Sequence, residues 1–134
     1  MSDTPRLLNQ VDIALRWVDM DAYGHVNNAR FFDFMTEARA QLLGELKKAK
    51  TVKSLQFVVV TTDCTFLLPY LYPDTVIIKQ YLKAVGNSSF TLDYEFLSSN
   101  TSTLCATGHV KMVCYDPVRE KAVPLPDSVK SHFE

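Results

Sequence analysis

The chain has 134 residues, 47% of them hydrophobic and 22% charged, with a formal net charge of -1. That size and balance fit one folded domain spanning residues 1–134 and exclude a disordered tail or a collagen-like chain; the near-neutral charge argues against a nucleic-acid binder or attraction to an anionic membrane. No apolar run approaches the ~18 residues of a membrane span or resembles a signal peptide, so no membrane insertion is expected and the expected address is the cytoplasm.

In chain order, Val11, Ile13, Leu15 and Trp17 alternate with Asp12, Ala14 and Arg16, the period-2 pattern of a half-buried strand ending at Val18-Asp19. The polar stretch DMDAYGHVNN follows. Beyond it Phe31, Phe34, Met35, Ala38, Leu42 and Leu46 recur every three or four residues, which predicts a helix of about four to five turns. Asn27 or Asn28 is a competent N-cap, and Lys47, Lys48 and Lys50 fall where a helix C-terminus favours positive charge. From Leu55 the pattern reads as a long, largely buried strand reaching Pro69. A turn at Tyr72-Pro73-Asp74 leads to a strand from Thr75 to Ala84, and Gly86-Asn87 marks a hairpin. Phe90, Leu92, Tyr94 and Phe96 define the next strand, and Leu104 to Cys114 the last. The C-terminal stretch, with two prolines, predicts an irregular tail and a short helical turn.

The order β-α-β-β-β-β predicts an α+β fold in which an antiparallel five-stranded sheet buries one face against one long helix. Such a sheet has edges, which pairing with another copy of the chain would protect, so a homodimer or homotetramer is expected. Cys64, Cys105 and Cys114 show no C-x-x-C spacing and read as reduced, buried thiols. Four glycines supply no phosphate-binding loop, and there is no G-x-S-x-G or H-E-x-x-H. The three histidines and three cysteines lack ligand spacing, so no metal is expected.

The chemistry-bearing segment is Arg16 to Asn28, where two carboxylates, a glycine, a histidine and two amides crowd before a helix N-terminus. Free N–H groups there can polarise a carbonyl and hold the negative charge that develops on attack, while Asp21 attacks or activates water. Asp21 with Gly24 also has a plain structural reading as turn chemistry, and Asp19 reads as structural, bonding local amides or pairing with Arg16.

The motif Asp19-x-Asp21-x-x-Gly24-His25-Val26-Asn27-Asn28, with Glu37-Ala38-Arg39 on the helix, resembles the hotdog-fold acyl-CoA thioesterases of the 4-hydroxybenzoyl-CoA thioesterase type. Weaker matches are Tyr72-Pro73-Asp74, Gly86-Asn87-Ser88-Ser89, Ala106-x-Gly108 and Pro124-x-Pro126. The resemblance implies a sheet wrapped around the helix, a dimer or tetramer with its active site between subunits, and an acyl-CoA substrate. Coenzyme A then enters as part of the substrate, with no separate cofactor. It also implies Asp21 as the catalytic acid, nucleophile or general base, with backbone donors near Asn27 and Asn28. Gly24, His25, Val26, Ser88 and Ser89 are candidate substrate-binding residues. Glu37 is a fallback carboxylate from another branch of the fold.

Phe31, Phe32 and Phe34 are candidates for an acyl pocket, although their helical spacing reads first as core. Lys83, Arg119 and Lys121 are candidates for coenzyme A phosphates, or plain surface charge. Two competing functions remain on this scaffold: a non-catalytic acyl-thioester binding protein, and an enoyl- or hydroxyacyl-thioester hydratase.

Overall fold

The computed structural model describes residues 5–46 and 54–134. Five main strands, β1 (Arg6–Ala14), β2 (Gln56–Phe66), β3 (Thr75–Val85), β4 (Ser89–Ser98) and β5 (Leu104–Asp116), accompany helix α1 (Arg30–Leu46). A two-residue β6 (Lys121–Ala122) and helix α2 (Asp127–His132) complete the described chain. All strand pairings are antiparallel, in the spatial order β1-β3-β4-β5-β2, with β6 beside the end of β5. This is the expected hotdog arrangement of α+β class, with the short β6 and α2 found where the sequence showed only an irregular tail and a helical turn. Lys47, Lys48 and Lys50 lie outside the described residues.

Helix α1 forms where the apolar spacing predicts it. Its buried stripe is Phe31, Phe34, Met35, Ala38, Leu42 and Leu46. Against it stand the inward side chains of β3 (Val76, Ile78), β4 (Phe90, Leu92, Tyr94, Phe96) and β5 (Ala106, Val110, Met112), all 2% exposed or less. Burial of this many apolar groups is the main favourable term in the fold. One polar network lies inside the same core. Gln80, fully buried, donates to Asn9 Oδ1 at 2.9 Å and to the Ala38 carbonyl at 3.4 Å, and accepts the Tyr94 hydroxyl proton. Because its partners come from β1, α1 and β4, these bonds fix where the helix sits along the sheet.

Two elements differ from the sequence reading. The first strand begins at Arg6 and ends at Ala14, so Trp17 leaves the alternation and sits 74% exposed in a single 3-10 turn, Trp17–Asp19. The polar groups of Arg16 and Asp19 draw the chain into that turn, as the site geometry below shows. Strand β2 is mostly exposed rather than largely buried, because among the described residues it is an edge strand bonded only to β5. Val58, Val59, Val60 and Phe66 are 39–55% exposed along it.

Gly108 of β5 allows α1 to approach the sheet closely. A Cβ there would lie 2.8 Å from Met35 Sδ and 3.1 Å from the Asp63 carbonyl oxygen. Met35 is buried and the second neighbour is backbone, so a larger side chain cannot be relieved by motion of a solvent-exposed tip. Gly108→Val is expected to lower unfolding free energy by about 2 kcal/mol, measured as a fall in the urea midpoint at unchanged slope.

Candidate active site

The segment between β1 and α1 is organised by Asp19, only 1% exposed. Its Oδ2 accepts the Arg16 amide at 2.8 Å, and its Oδ1 meets the guanidinium groups of Arg16 at 3.1 Å and Arg30 at 2.8 Å. The Asp19 carbonyl also accepts the Asn27 amide at 3.0 Å. Burial pushes the pKa of this carboxyl upward, but the Arg16 amide and the two guanidinium charges outweigh it, and the group titrates below the ordinary aspartate value. The structural reading of Asp19 is thus borne out. Its partner Arg30 on α1 was not foreseen, since only the folded turn brings residues 19 and 30 together.

Asp21 makes the turn bonds that one of its sequence readings expects. Its Oδ1 accepts the amides of Tyr23 at 2.8 Å and His25 at 3.3 Å, and its own amide donates to the His25 carbonyl at 2.7 Å. Gly24 closes the loop in the left-handed region, at φ +75°, with its amide donating to the Asp21 carbonyl. These bonds leave Oδ2 with no partner among the described residues.

The start of α1 is partly capped. Asn27 Oδ1 accepts the Ala29 amide at 3.0 Å, which makes Asn27 rather than Asn28 the capping residue. The amides of Arg30, Phe31 and Phe32 donate to carbonyls three residues back, and the Asn27 amide is held by Asp19. Among the described residues the Asn28 amide alone in this run, Asn27 to Phe32, has no acceptor. The expected pair of donors near Asn27 and Asn28 therefore narrows to Asn28.

A cleft of about 220 Å³ opens at this place, lined by Asp21, His25, Val26, Asn28, Phe31 and the segment from Phe66 to Tyr70. It brings together Asp21, His25, Val26 and Asn28 of the expected residues. Gly24 lines a neighbouring groove that also reaches Asp21. Of the three phenylalanines, Phe31 alone lines the cleft, in ring contact with Phe66 at 5.0 Å and Tyr70 at 6.0 Å. Phe32 is surface and Phe34 core, and Glu37 faces a separate cavity with Arg30 and Asp33.

Ser88 and Ser89 do not reach the cleft within one chain. They sit at the hairpin between β3 and β4, the far end of strands that start beside Asp74, while the Asp74 carbonyl accepts the Leu15 amide at the site end. Ten or so residues of extended chain separate the two ends by roughly 30 Å. Lys83, Arg119 and Lys121 belong to that far end as well, Lys121 lying across from Asp116.

Phe66 and Tyr70 were missed as site residues. Phe66 falls on the last residue of a strand whose register only pairing defines, and Tyr70 follows a proline in an irregular segment. The Tyr70 hydroxyl is buried without a nitrogen or oxygen partner among the described residues, and burial raises its pKa. Cys64 is half-buried, and burial with the nearby Asp63 charge pushes its thiol up to about 11, which disfavours the thiolate needed of a nucleophile. Among the described residues no three His, Cys, Asp or Glu side chains converge as metal ligands, and no helix is long and apolar enough to cross a membrane.

Residues 15–133 match the family model described as the thioesterase-like superfamily. The chain is 28% identical over 127 residues to the long-chain acyl-CoA thioesterase FadM of Escherichia coli strain K12, covering 93% of this chain and 96% of that protein. Among solved structures, the PA2801 protein of Pseudomonas aeruginosa superposes with a TM-score of 0.87 at 31% identity, covering 96% of this chain and all of that one. The gentisyl-coenzyme A thioesterase BH1999 superposes with a TM-score of 0.78 at 27% identity, covering 91% of this chain and 99% of that one.

Removing the Asp19 carboxylate leaves two guanidinium groups without their shared anion. Asp19→Asn is expected to cost about 3 kcal/mol at neutral pH. Because the folded pKa lies below the ordinary 3.8, the contribution is complete above that value and fades as pH falls through the folded pKa. Urea titrations should show a constant gap between wild type and variant from pH 7 to about 5, closing only in stronger acid.

Proposed function

The chain belongs to the thioesterase-like superfamily, and from that premise we propose that it hydrolyses an acyl-CoA to the free acid and coenzyme A, with Asp21 and the Asn28 amide as its catalytic groups. The observation that carries this reading is the pairing, in one cleft, of a carboxylate oxygen and a helix-terminal amide that have no hydrogen-bond partner among the described residues. Within the superfamily, placement near the 4-hydroxybenzoyl-CoA type rests on the Asp19-x-Asp21-x-x-Gly24-His25-Val26-Asn27-Asn28 motif.

In the proposed reaction the thioester carbonyl oxygen accepts the Asn28 N–H at the positive end of α1, which makes the acyl carbon electrophilic. Asp21 Oδ2 takes a proton from a water whose oxygen bonds to that carbon. Charge collects on the carbonyl oxygen, held by the same amide. The tetrahedral centre then expels the coenzyme A thiolate, which recovers the proton. The alternative use of Asp21, direct attack by Oδ2, gives an acyl-carboxylate anhydride that water cleaves. Transfer of ¹⁸O from water into the Asp21 carboxyl during a single turnover marks that route. The amides of Tyr23 and His25 fix the other carboxylate oxygen, so Oδ2 is aimed without loss of side-chain freedom at the moment of reaction.

We further propose that β2 pairs with β2 of a second copy around a two-fold axis. An apolar, unpaired edge is a template for strand addition. Antiparallel pairing sets the Phe66 end of one β2 beside the Gln56 end of the other. Gln56 lies across from Tyr115, and the Cys114 amide donates to the Ser88 carbonyl. The far end of the second copy, with its Ser88, Ser89, Arg119 and Lys121, thereby comes to the side of the first copy's cleft. This placement reconciles the candidate coenzyme A residues with a cleft that one chain does not bring them to.

Asp21→Asn is expected to lower thiol release from acyl-CoA by about 10²–10⁴-fold. Asn28→Pro deletes the donor at the first helical position, where proline is tolerated, and should cost about 10²–10³-fold with the melting temperature nearly unchanged. Full activity in either variant would defeat the assignment. Acyl-CoA binding by wild type without thiol release would point to the binding-protein reading, and loss of enoyl absorbance to a hydratase. Val59→Lys, on the apolar β2 edge, should shift the mass in solution from dimer or tetramer to monomer.

A further inference from the structure

Asp21 lines two cavities rather than one. Besides the polar cleft, a groove of about 360 Å³ runs between the 17–24 turn and the loop after β2, lined by Trp17, Met20, Asp21, Gly24, Leu71 and Tyr72. Asp21 is the one residue common to both. The loop divides them, since its residues up to Tyr70 face the cleft whereas Leu71 and Tyr72 face the groove. Trp17 and Tyr72 meet edge to face at 5.7 Å and tie the two walls together.

We infer that this groove receives an unbranched aliphatic acyl chain, while the cleft holds the thioester carbonyl and the amide-bearing coenzyme A arm. The inference rests on the thioesterase reading of Asp21 above. A carbonyl carbon placed at Asp21 has two substituents that diverge, and two cavities diverge from that residue. Their chemistries sort the substituents. The side chains of His25 and Asn28 can pair with amide groups, and both belong to the cleft. In the groove Asp21 is the only charged residue, and the rest of the wall is tryptophan, methionine, glycine, leucine and tyrosine.

Exposure points the same way. Trp17 is 74% exposed, Leu71 62% and Tyr72 44%, so a chain laid against them removes much apolar surface from water. Val26, Phe31 and Tyr70 of the cleft are already at most 4% exposed and gain little from a ligand. Phe66, Leu67 and Leu68, the exposed apolar residues at the cleft's other rim, run on from the β2 edge assigned above to the second copy, and the Leu67 and Leu68 amides both donate to the Cys105 carbonyl. The groove's volume is that of about a dozen water-sized groups, room for a medium-length chain.

Trp17 is the only tryptophan in the sequence, so its emission reports on the groove independently of turnover. The probes are non-hydrolysable S-butyl- and S-dodecyl-coenzyme A thioethers, with coenzyme A alone as control and calorimetry as the measure of binding. The dodecyl thioether should shift Trp17 emission to the blue, coenzyme A should not, and affinity should rise about two- to fourfold per methylene until the groove is filled. Leu71→Ser, at an exposed position, should flatten that length dependence, weakening the dodecyl thioether more than the butyl thioether. Binding of both thioethers with equal affinity, or with unaltered Trp17 emission, overturns the groove assignment and leaves the thioesterase reading standing. Absence of binding together with absence of thiol release from acyl-CoA overturns both.

Discussion

The site depends first on a buried carboxylate that lies outside the cleft. Asp19 sits between Arg16 and Arg30 and accepts the Arg16 amide, so the 3-10 turn after β1 is fastened to the first turn of α1. Its carbonyl takes the Asn27 amide, which adds a backbone tie over the same gap. An uncompensated charge in that position would be costly, whereas three donors together make it a specific anchor. The loop carrying Asp21 hangs between these two fixed ends.

Within the loop, turn formation and the proposed reactivity use different atoms of the same residues. One Asp21 oxygen closes the turn and the other has no partner among the described residues. Asn27 spends its side chain on the Ala29 amide, and the Asn28 amide at the helix end has no acceptor among the described residues. Local folding requirements thus preorganise the groups assigned to catalysis, which is the condition under which fixed donors stabilise a developing charge without reorganisation. A helix start fully satisfied by its own caps would have no such donor to offer.

The sheet supplies the second constraint. The order β1-β3-β4-β5-β2 places the apolar β2 at an edge, so the residues that make it look like core in the sequence face open space in a single chain. Pairing of that edge in the proposed dimer would satisfy both its unpaired backbone groups and its valines. The same pairing would make the two ends of the sheet complementary, one bearing the cleft and the other the serines and basic residues of the hairpin end.

Much of this was legible in the chain itself. The periodicity of α1 identified all six buried positions from Phe31 to Leu46, because a helix repeats its inward face every three or four residues whatever it packs against. Alternation located β3, β4 and β5, and the Asp-rich motif located the cleft's Asp21, His25, Val26 and Asn28, since a turn and its cap are built from neighbours in sequence. Trp17 was misassigned to β1 because alternation carries no record of where a side chain further on will bend the chain. The exposure of β2, the link between Asp19 and Arg30, the entry of Phe66 and Tyr70 into the cleft and the distance of Ser88 and Ser89 from it were decided only by the tertiary structure. Each depends on which strand lies beside which, or on contacts between residues remote along the chain, and the period of a single segment is the same for either answer.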